Sequence, residues 1–248
     1  MTAELPGCVV VTGSNGGLGS ALVAGLLERG VRNIACHYRS NSSSISKVLL
    51  DHECDPAAHM FHAELTSEDD VRSMRERVVE RFGAVWGVVN LAGASSNAVS
   101  WKMSLADFNR ILNSNLGSTF LTTREFLPAM RERGMGRIVN VSSILAHMGV
   151  AGASHYCAAK AAIESFTRAV AQEVAPKGVT ANCIALGYFD KGIISEVPAN
   201  LLEEIKAKIP QRRLGKAEEI APLVSYLLSP DSQYMTGQVL HLNGGQYA

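Results

Sequence analysis

The 248-residue sequence predicts a doubly wound parallel α/β sheet with helices on both faces. Three observations carry this. Short apolar runs alternate with segments of helical period almost from end to end. Several of the runs are apolar at successive positions, as in strands covered above and below by helices. A glycine-rich turn stands where the first run meets the first helical segment, the junction at which such sheets bind ligands.

The strand runs are GCVVVT over 7–12, NIACHY over 33–38, VWGVVN over 85–90, RIVNVS over 137–142, VTANCI over 179–184 and QVLHL over 238–242. Helical periodicity covers 18–29, 67–82, 105–133, 154–175 and 216–228. Ser67, followed by Glu68, Asp69 and Asp70, reads as a capped helix start, and Gly30 and Gly134 follow helix ends. Asn41 to Ser44 reads as a loop. The stretch 193–209, two candidate helical turns broken by Pro198, interrupts the alternation, and the segment at about 188–210 is a candidate lid. With no repeat, low-complexity tract or linker, residues 1–248 are expected to form one domain, as α/β units of about 200 to 250 residues commonly do.

The chain is 47% hydrophobic and 19% charged, enough apolar material for a large core. Lys plus Arg and Asp plus Glu are both 23, so no net field draws a polyanion, and nucleic acid is not an expected partner. Cys8, Cys36, Cys54, Cys157 and Cys183 form no paired CxxC framework, so reduced thiols are expected, with neither a disulfide scaffold nor a metal site. No apolar stretch approaches the roughly 20 residues of a membrane span. The opening MTAELPG lacks the features of a secretion signal, and a cytoplasmic protein is expected.

Thr12 to Gly19 reads TGSNGGLG. Gly13 suits a sharp exit from the strand, Gly17 the close approach of a pyrophosphate, and Gly19 close helix-to-strand packing; Ser14, Asn15 and Leu18 complete the loop. The following helix start offers free N–H groups and a positive dipole end to phosphates, so the segment is read as dinucleotide-binding, the alternative being a turn that binds nothing. After the second strand the chain reads His37, Tyr38, Arg39, Ser40. No acid stands there to meet ribose hydroxyls or repel a 2′-phosphate, whereas Arg39 can fork onto that phosphate. NADP(H) is therefore expected as cofactor; the alternative for Arg39 is a solvated loop cation.

Tyr156 and Lys160 stand four residues apart, on one face of a helix. A tyrosine that exchanges protons near neutrality needs a nearby cation to favour the phenolate, and Lys160 can supply it. With Thr12 to Gly19, Asn90-Leu-Ala-Gly93, Asn115, Ser143 and Tyr156/Lys160 all in order, the sequence resembles the single-domain branch of the short-chain dehydrogenase/reductase family over essentially its whole length. The tail segments Gln211 to Ile220 and Tyr234 to Gly245 look most like those of 3-oxoacyl-carrier-protein reductases, and also occur in alcohol and sugar dehydrogenases of the family.

The resemblance implies a Rossmann-type fold in which Tyr156 protonates a carbonyl oxygen as hydride reaches carbon, and Ser143 hydrogen-bonds the same oxygen. It implies that Lys160 holds the nicotinamide ribose and lowers the Tyr156 pKa, and that Asn115 keeps a water in a proton relay. Asn90, Ala92 and Gly93 would line the cofactor path, Glu64 and Leu65 would border adenine, and Gly187 and Phe189 would lie beside the nicotinamide. The alternatives are a buried strand-end Asn and a helix-edge acid. Four positions depart from the family pattern: Gly16 replaces a basic residue, Leu91 a second Asn, Leu186 a Pro, and Lys191 a Thr.

The implied activity is NADPH-dependent reduction of a 3-oxoacyl thioester, carried on an acyl carrier protein or CoA, or of a related ketone. An alcohol or sugar dehydrogenase and a non-catalytic cofactor-sensing scaffold are the alternatives. Ala94 to Val99, Leu145 to Gly152, Tyr188 and Ile193 to Leu202 should surround the substrate. Arg131, Arg133 and Lys177 could dock an acidic carrier protein, or are simply solvated. His147, His155 and His241 are expected to make local hydrogen bonds. The resemblance also implies a homotetramer paired through the helices around 105–133 and 154–175.

Overall fold

The computed structural model describes residues 5–192, 194 and 197–247, apart from the side chains of Ala199 and Asn200. The strands are β1 (Cys8–Val11), β2 (Ile34–Tyr38), β3 (Met60–His62), β4 (Val85–Asn90), β5 (Gly136–Ser143), β6 (Val179–Leu186) and β7 (Val239–Leu242). They form one sheet in the order β3-β2-β1-β4-β5-β6-β7, every neighbouring pair parallel. The helices are α1 (Gly17–Glu28), α2 (Ser43–Asp51), α3 (Pro56–His59), α4 (Glu68–Phe82), α5 (Leu105–Leu112), α6 (Ser118–Arg133), α7 (Ser154–Val174), α8 (Ala199–Lys208) and α9 (Ile220–Leu228).

Strand side chains alternate between two apolar layers. Val9 and Val11 pack with Leu22 and Leu26 of α1 and Val224 of α9, while Cys8 and Val10 pack with Met74 of α4, Met130 of α6 and Val174 of α7. Both faces are dry, which is why the strand runs lack a polar alternation.

Some elements differ from the sequence expectation. β3 has three residues, of which only Phe61 is buried. It is too short to give an apolar run, and its pairing with Cys36, His37 and Tyr38 creates it. The loop expected at Asn41 to Ser44 instead runs into α2: Asn41 Oδ1 accepts the Ser43 N–H at 2.8 Å, and Ile45 and Leu49, one turn apart, are fully buried. The 105–133 stretch is interrupted by a π turn at Asn113–Gly117. Pro198 flanks the start of α8, where its φ of −56° suits a helix entrance. Of the expected lid, Ile193, Ser195 and Glu196 lie outside the described residues.

Candidate active site

After β1 the chain winds to one side through β2 and β3, then crosses to β4 on the other. The loops leaving β1 and β4 therefore diverge and open a crevice at the carboxyl ends of the strands. A cleft of about 640 Å³ occupies it. Gly13, Asn15, Gly17, Leu18, Gly19, Arg39, Ser40, Glu64, Leu65, Ala92, Gly93, Gly187 and Phe189 line this cleft, together with Asn115, Ser143, Tyr156 and Lys160.

Two expected cofactor residues do not line it. Ser14 is fully buried, and its hydroxyl donates to Val11 O at 2.6 Å. Asn90 points into the protein, where its amide donates to Thr123 Oγ1 at 3.1 Å and Asn140 Oδ1 at 2.9 Å; Asn140 in turn donates to Thr167 Oγ1 at 2.8 Å. The Asn90 partners thus lie on α6 and β5, while its buried Oδ1 has no protein partner.

The glycine-rich loop is tied down from three sides. Thr12 Oγ1 accepts the N–H groups of Leu91 at 3.0 Å and Ala92 at 3.1 Å, joining it to the end of β4. Asn15 Oδ1 accepts the Ile45 N–H at 3.1 Å, joining it to α2. Gly13 adopts φ +70°, and its N–H donates to His37 Nδ1 at 3.0 Å. A Cβ on Gly19 would stand 2.1 Å from Gly13 O, so Gly19 lets the loop fold onto the first turn of α1 and does not serve helix-to-strand packing as expected. No side chain caps α1, which leaves its first N–H groups to a ligand.

His37 is a residue that sequence reasoning missed. Its Nε2 lies 3.0 Å from Ala63 O and must donate there, so Nδ1 accepts from Gly13 and the ring is neutral. Burial pushes its pKa down to about 4. The only sequence signal is a polar residue inside an otherwise apolar strand. Beyond it, Arg39 and Ser40 are exposed at the end of β2, facing the cleft.

Tyr156 and Lys160 lie in the first turns of α7, and Ser143 ends β5. The Ser143 hydroxyl accepts the Leu145 N–H at 3.2 Å and acts on the Tyr156 phenol to lower its pKa. Lys160 Nζ donates to Val141 O at 3.0 Å and stands 5.6 Å from the Tyr156 ring centroid. Asn115 sits in the π turn, a bulge often found at functional sites. Its amide donates to Ala94 O and Ile111 O, each at 2.8 Å, while its buried Oδ1 has no protein partner. A Cβ on Gly93 would lie 2.4 Å from that oxygen and 3.5 Å from Lys160 Nζ, so the bare backbone leaves both groups facing one small polar space.

The expected lowering of the Tyr156 pKa by Lys160 is not what this geometry produces. Burial pushes the phenol up to about 12, opposed only in part by the Ser143 hydroxyl, and burial pushes Lys160 down to about 8. The Lys160 ammonium is itself buried, and one of its three N–H groups donates to Val141 O. The phenol is thus held protonated near neutrality, the state in which it can give a proton away.

Arg131 and Arg133 end α6, Arg133 donates to Val85 O at the start of β4, and Lys177 precedes β6. These cations lie at the amino ends of the strands, opposite the cleft. His155 contacts Ser96 Oγ at 2.9 Å and His147 contacts Glu164 at 3.0 Å; among the described residues no group is arranged to hold a metal. No helix among them is long and apolar enough to cross a membrane.

Comparison with known proteins agrees with this geometry. A family model of short-chain dehydrogenases/reductases, described as enoyl-(acyl carrier protein) reductase, matches residues 13–246. The 3-oxoacyl-(acyl-carrier-protein) reductase FabG of Vibrio cholerae is 34% identical over 238 residues, 96% of each chain. The acetoacetyl-CoA reductase of Cupriavidus necator is 36% identical over 238 residues, 95% of this chain and 96% of that one. A crystal structure from Agrobacterium tumefaciens, provisionally named a gluconate dehydrogenase, superposes with a TM-score of 0.90 at 30% identity, covering 98% of this chain and 97% of that one.

Proposed function

Because the chain belongs to the short-chain dehydrogenase/reductase family and is an oxidoreductase of CH–OH or C=O groups, we propose that it reduces a 3-oxoacyl thioester, or a related ketone, with NADPH. The observation that carries the substrate reading is the chemistry of the cleft wall. Beyond Tyr156 it includes Ile144, Leu145, Val150, Ala153, Val197 and Leu201 with the uncharged Ser95, Ser96, Asn97 and Tyr188, whereas the charged side chains among its described residues, Arg39, Glu64, Lys160 and Lys191, all lie along the cofactor stretch. An aliphatic acyl chain fits such a wall; a sugar acid would leave its carboxylate without a cation. The NADPH reading rests on Arg39 and Ser40, with no acid from His37 to Asn41.

A nicotinamide dinucleotide fits the cleft: the uncapped first turn of α1 would meet its diphosphate, and when bound it supplies the hydride. The chain's own part is protonation and positioning. Tyr156 gives its phenolic proton to the carbonyl oxygen, and Ser143 donates a hydrogen bond to the same oxygen. Lys160, with a pKa near 8, and Asn115 Oδ1 form the inner end of the path that returns a proton to the phenolate.

The test is the initial rate of NADPH oxidation with acetoacetyl-CoA, run beside NADH, Tyr156→Phe and Arg39→Asp. We expect NADPH-linked turnover, a loss of about 10² to 10⁴ in Tyr156→Phe, and a shift toward NADH in Arg39→Asp. Undiminished turnover in Tyr156→Phe would remove the proposed acid. Gluconate oxidation with no turnover of the thioester would favour the sugar dehydrogenase reading, while cofactor binding without turnover of any ketone or alcohol would point to a sensor.

A further inference from the structure

We propose that Lys191 is the cation that neutralises the cofactor's diphosphate, moving to it from a holding ion pair with Glu218. The inference rests on the reading of the cleft as a dinucleotide site, but not on the choice between NADP and NAD.

A dinucleotide places its diphosphate at the start of α1 and brings two negative charges there. The segment offering its backbone N–H groups, Gly16 to Gly19, carries no charge of its own. Among the described residues lining the cleft, Arg39 stands at the adenosine end and Lys160 beside Tyr156, so Lys191 is the remaining cation. It is well placed: a Cβ on Gly17 would stand 3.0 Å from Lys191 Cβ and 3.0 Å from Gly192 N. The backbone at 191–192 therefore runs across the first turn of α1 as a strap.

The Lys191 ammonium is 2.7 Å from Glu218 Oε1, with side-chain exposures of 46% and 61%. The Lys191 hydrogen bond holds the Glu218 carboxyl below its ordinary range, yet a pair this exposed is worth little and is easily exchanged. A diphosphate in a cleft partly shielded from water attracts an ammonium more strongly than a solvated carboxylate does. The strap itself does not depend on the pair. Asp190 Oδ1 accepts the Ala217 N–H at 3.0 Å, and the Asp190 N–H donates to Gly215 O at 2.9 Å. Removing the Glu218 charge thus frees Lys191 without releasing the backbone that carries it.

The experiment measures dissociation constants of NADPH, NADH and adenosine 2′-monophosphate, the last lacking a diphosphate, by calorimetry at two salt concentrations. It compares the wild-type protein with Lys191→Met and Glu218→Gln, after thermal melts establish that both variants fold. Lys191→Met should weaken NADPH and NADH alike by about tenfold, as expected of a lost hydrogen bond to a charged group, leave the monophosphate unchanged, and flatten the salt dependence. Glu218→Gln should tighten both dinucleotides. Dinucleotide binding in Lys191→Met equal to wild type, or equal weakening by both variants, overturns the proposal and leaves the cofactor reading intact; wild-type protein that binds neither dinucleotide overturns both.

Discussion

The neutral imidazole of His37 makes the stability of the chain depend on acid. Folding takes this side chain from an ordinary pKa of 6.5 to about 4, chiefly by burial, with the charge of Glu64 opposing the drop and His62 and Arg39 adding to it. Above pH 6.5 both the native and unfolded forms are neutral, and the contribution is fully present. Between pH 6.5 and 4 the unfolded chain takes up a proton that the native state refuses, so stability falls; below 4 the native ring protonates too and the loss stops growing. At about 1.4 kcal/mol per pKa unit, the window is worth roughly 3 kcal/mol. Once protonated, Nδ1–H faces the Gly13 N–H, and the glycine-rich loop loses its anchor on β2. Urea unfolding at fixed protein concentration, repeated from pH 7.5 to about pH 4.5 in wild type and His37→Gln, isolates this contribution. The wild-type curve should fall more steeply through the window, and His37→Phe should be less stable at pH 7.5 by about 1 to 3 kcal/mol because Gly13 N–H and Ala63 O lose their partner. Parallel pH profiles in wild type and His37→Gln would refute the reasoning.

Two further outcomes follow from packing. Gly19→Ala puts a methyl 2.1 Å from Gly13 O, so the helix-propensity gain is outweighed by a forced backbone shift; urea unfolding should show a loss of about 1 to 3 kcal/mol, and unchanged or raised stability would show that the loop has slack. Phe120, 42% exposed and 6.2 Å edge-to-face from Phe166, lies with exposed Leu105 on the helices through which we propose the subunits pair. Light scattering at micromolar concentration should give a tetramer for wild type and smaller species for Phe120→Glu; a wild-type monomer would end that proposal.

What was readable in the sequence is what short-range regularity encodes. Val9, Val10 and Val11 announce a strand covered on both faces, and the glycine spacing from Gly13 to Gly19 announces a turn onto a helix start. The separation of Tyr156 and Lys160 puts them on one helical face. The order of these motifs identified the family and brought Asn115, Ser143, Tyr156 and Lys160 together in one cleft as expected. Elements whose pattern is weak escaped: the three residues of β3 exist as a strand only because β2 pairs with them, and α2 shows itself only through Ile45 and Leu49.

The direction of polar side chains and the strength of burial belong to the tertiary structure. Ser14 and Asn90 sit inside cofactor-like motifs, yet the Ser14 hydroxyl and the Asn90 amide N–H groups bond inward to Val11, Thr123 and Asn140. His37 became the anchor of the glycine-rich loop when Ala63 and Gly13 arrived on either side of its ring. Tyr156 and Lys160 have the expected spacing, and burial raises the pKa of the one and lowers that of the other. Sequence alone determined which residues share an element and a face, because helix and strand periods are local. Which groups meet, and how much water remains between them, depends on segments distant in the chain, and only the fold could decide it.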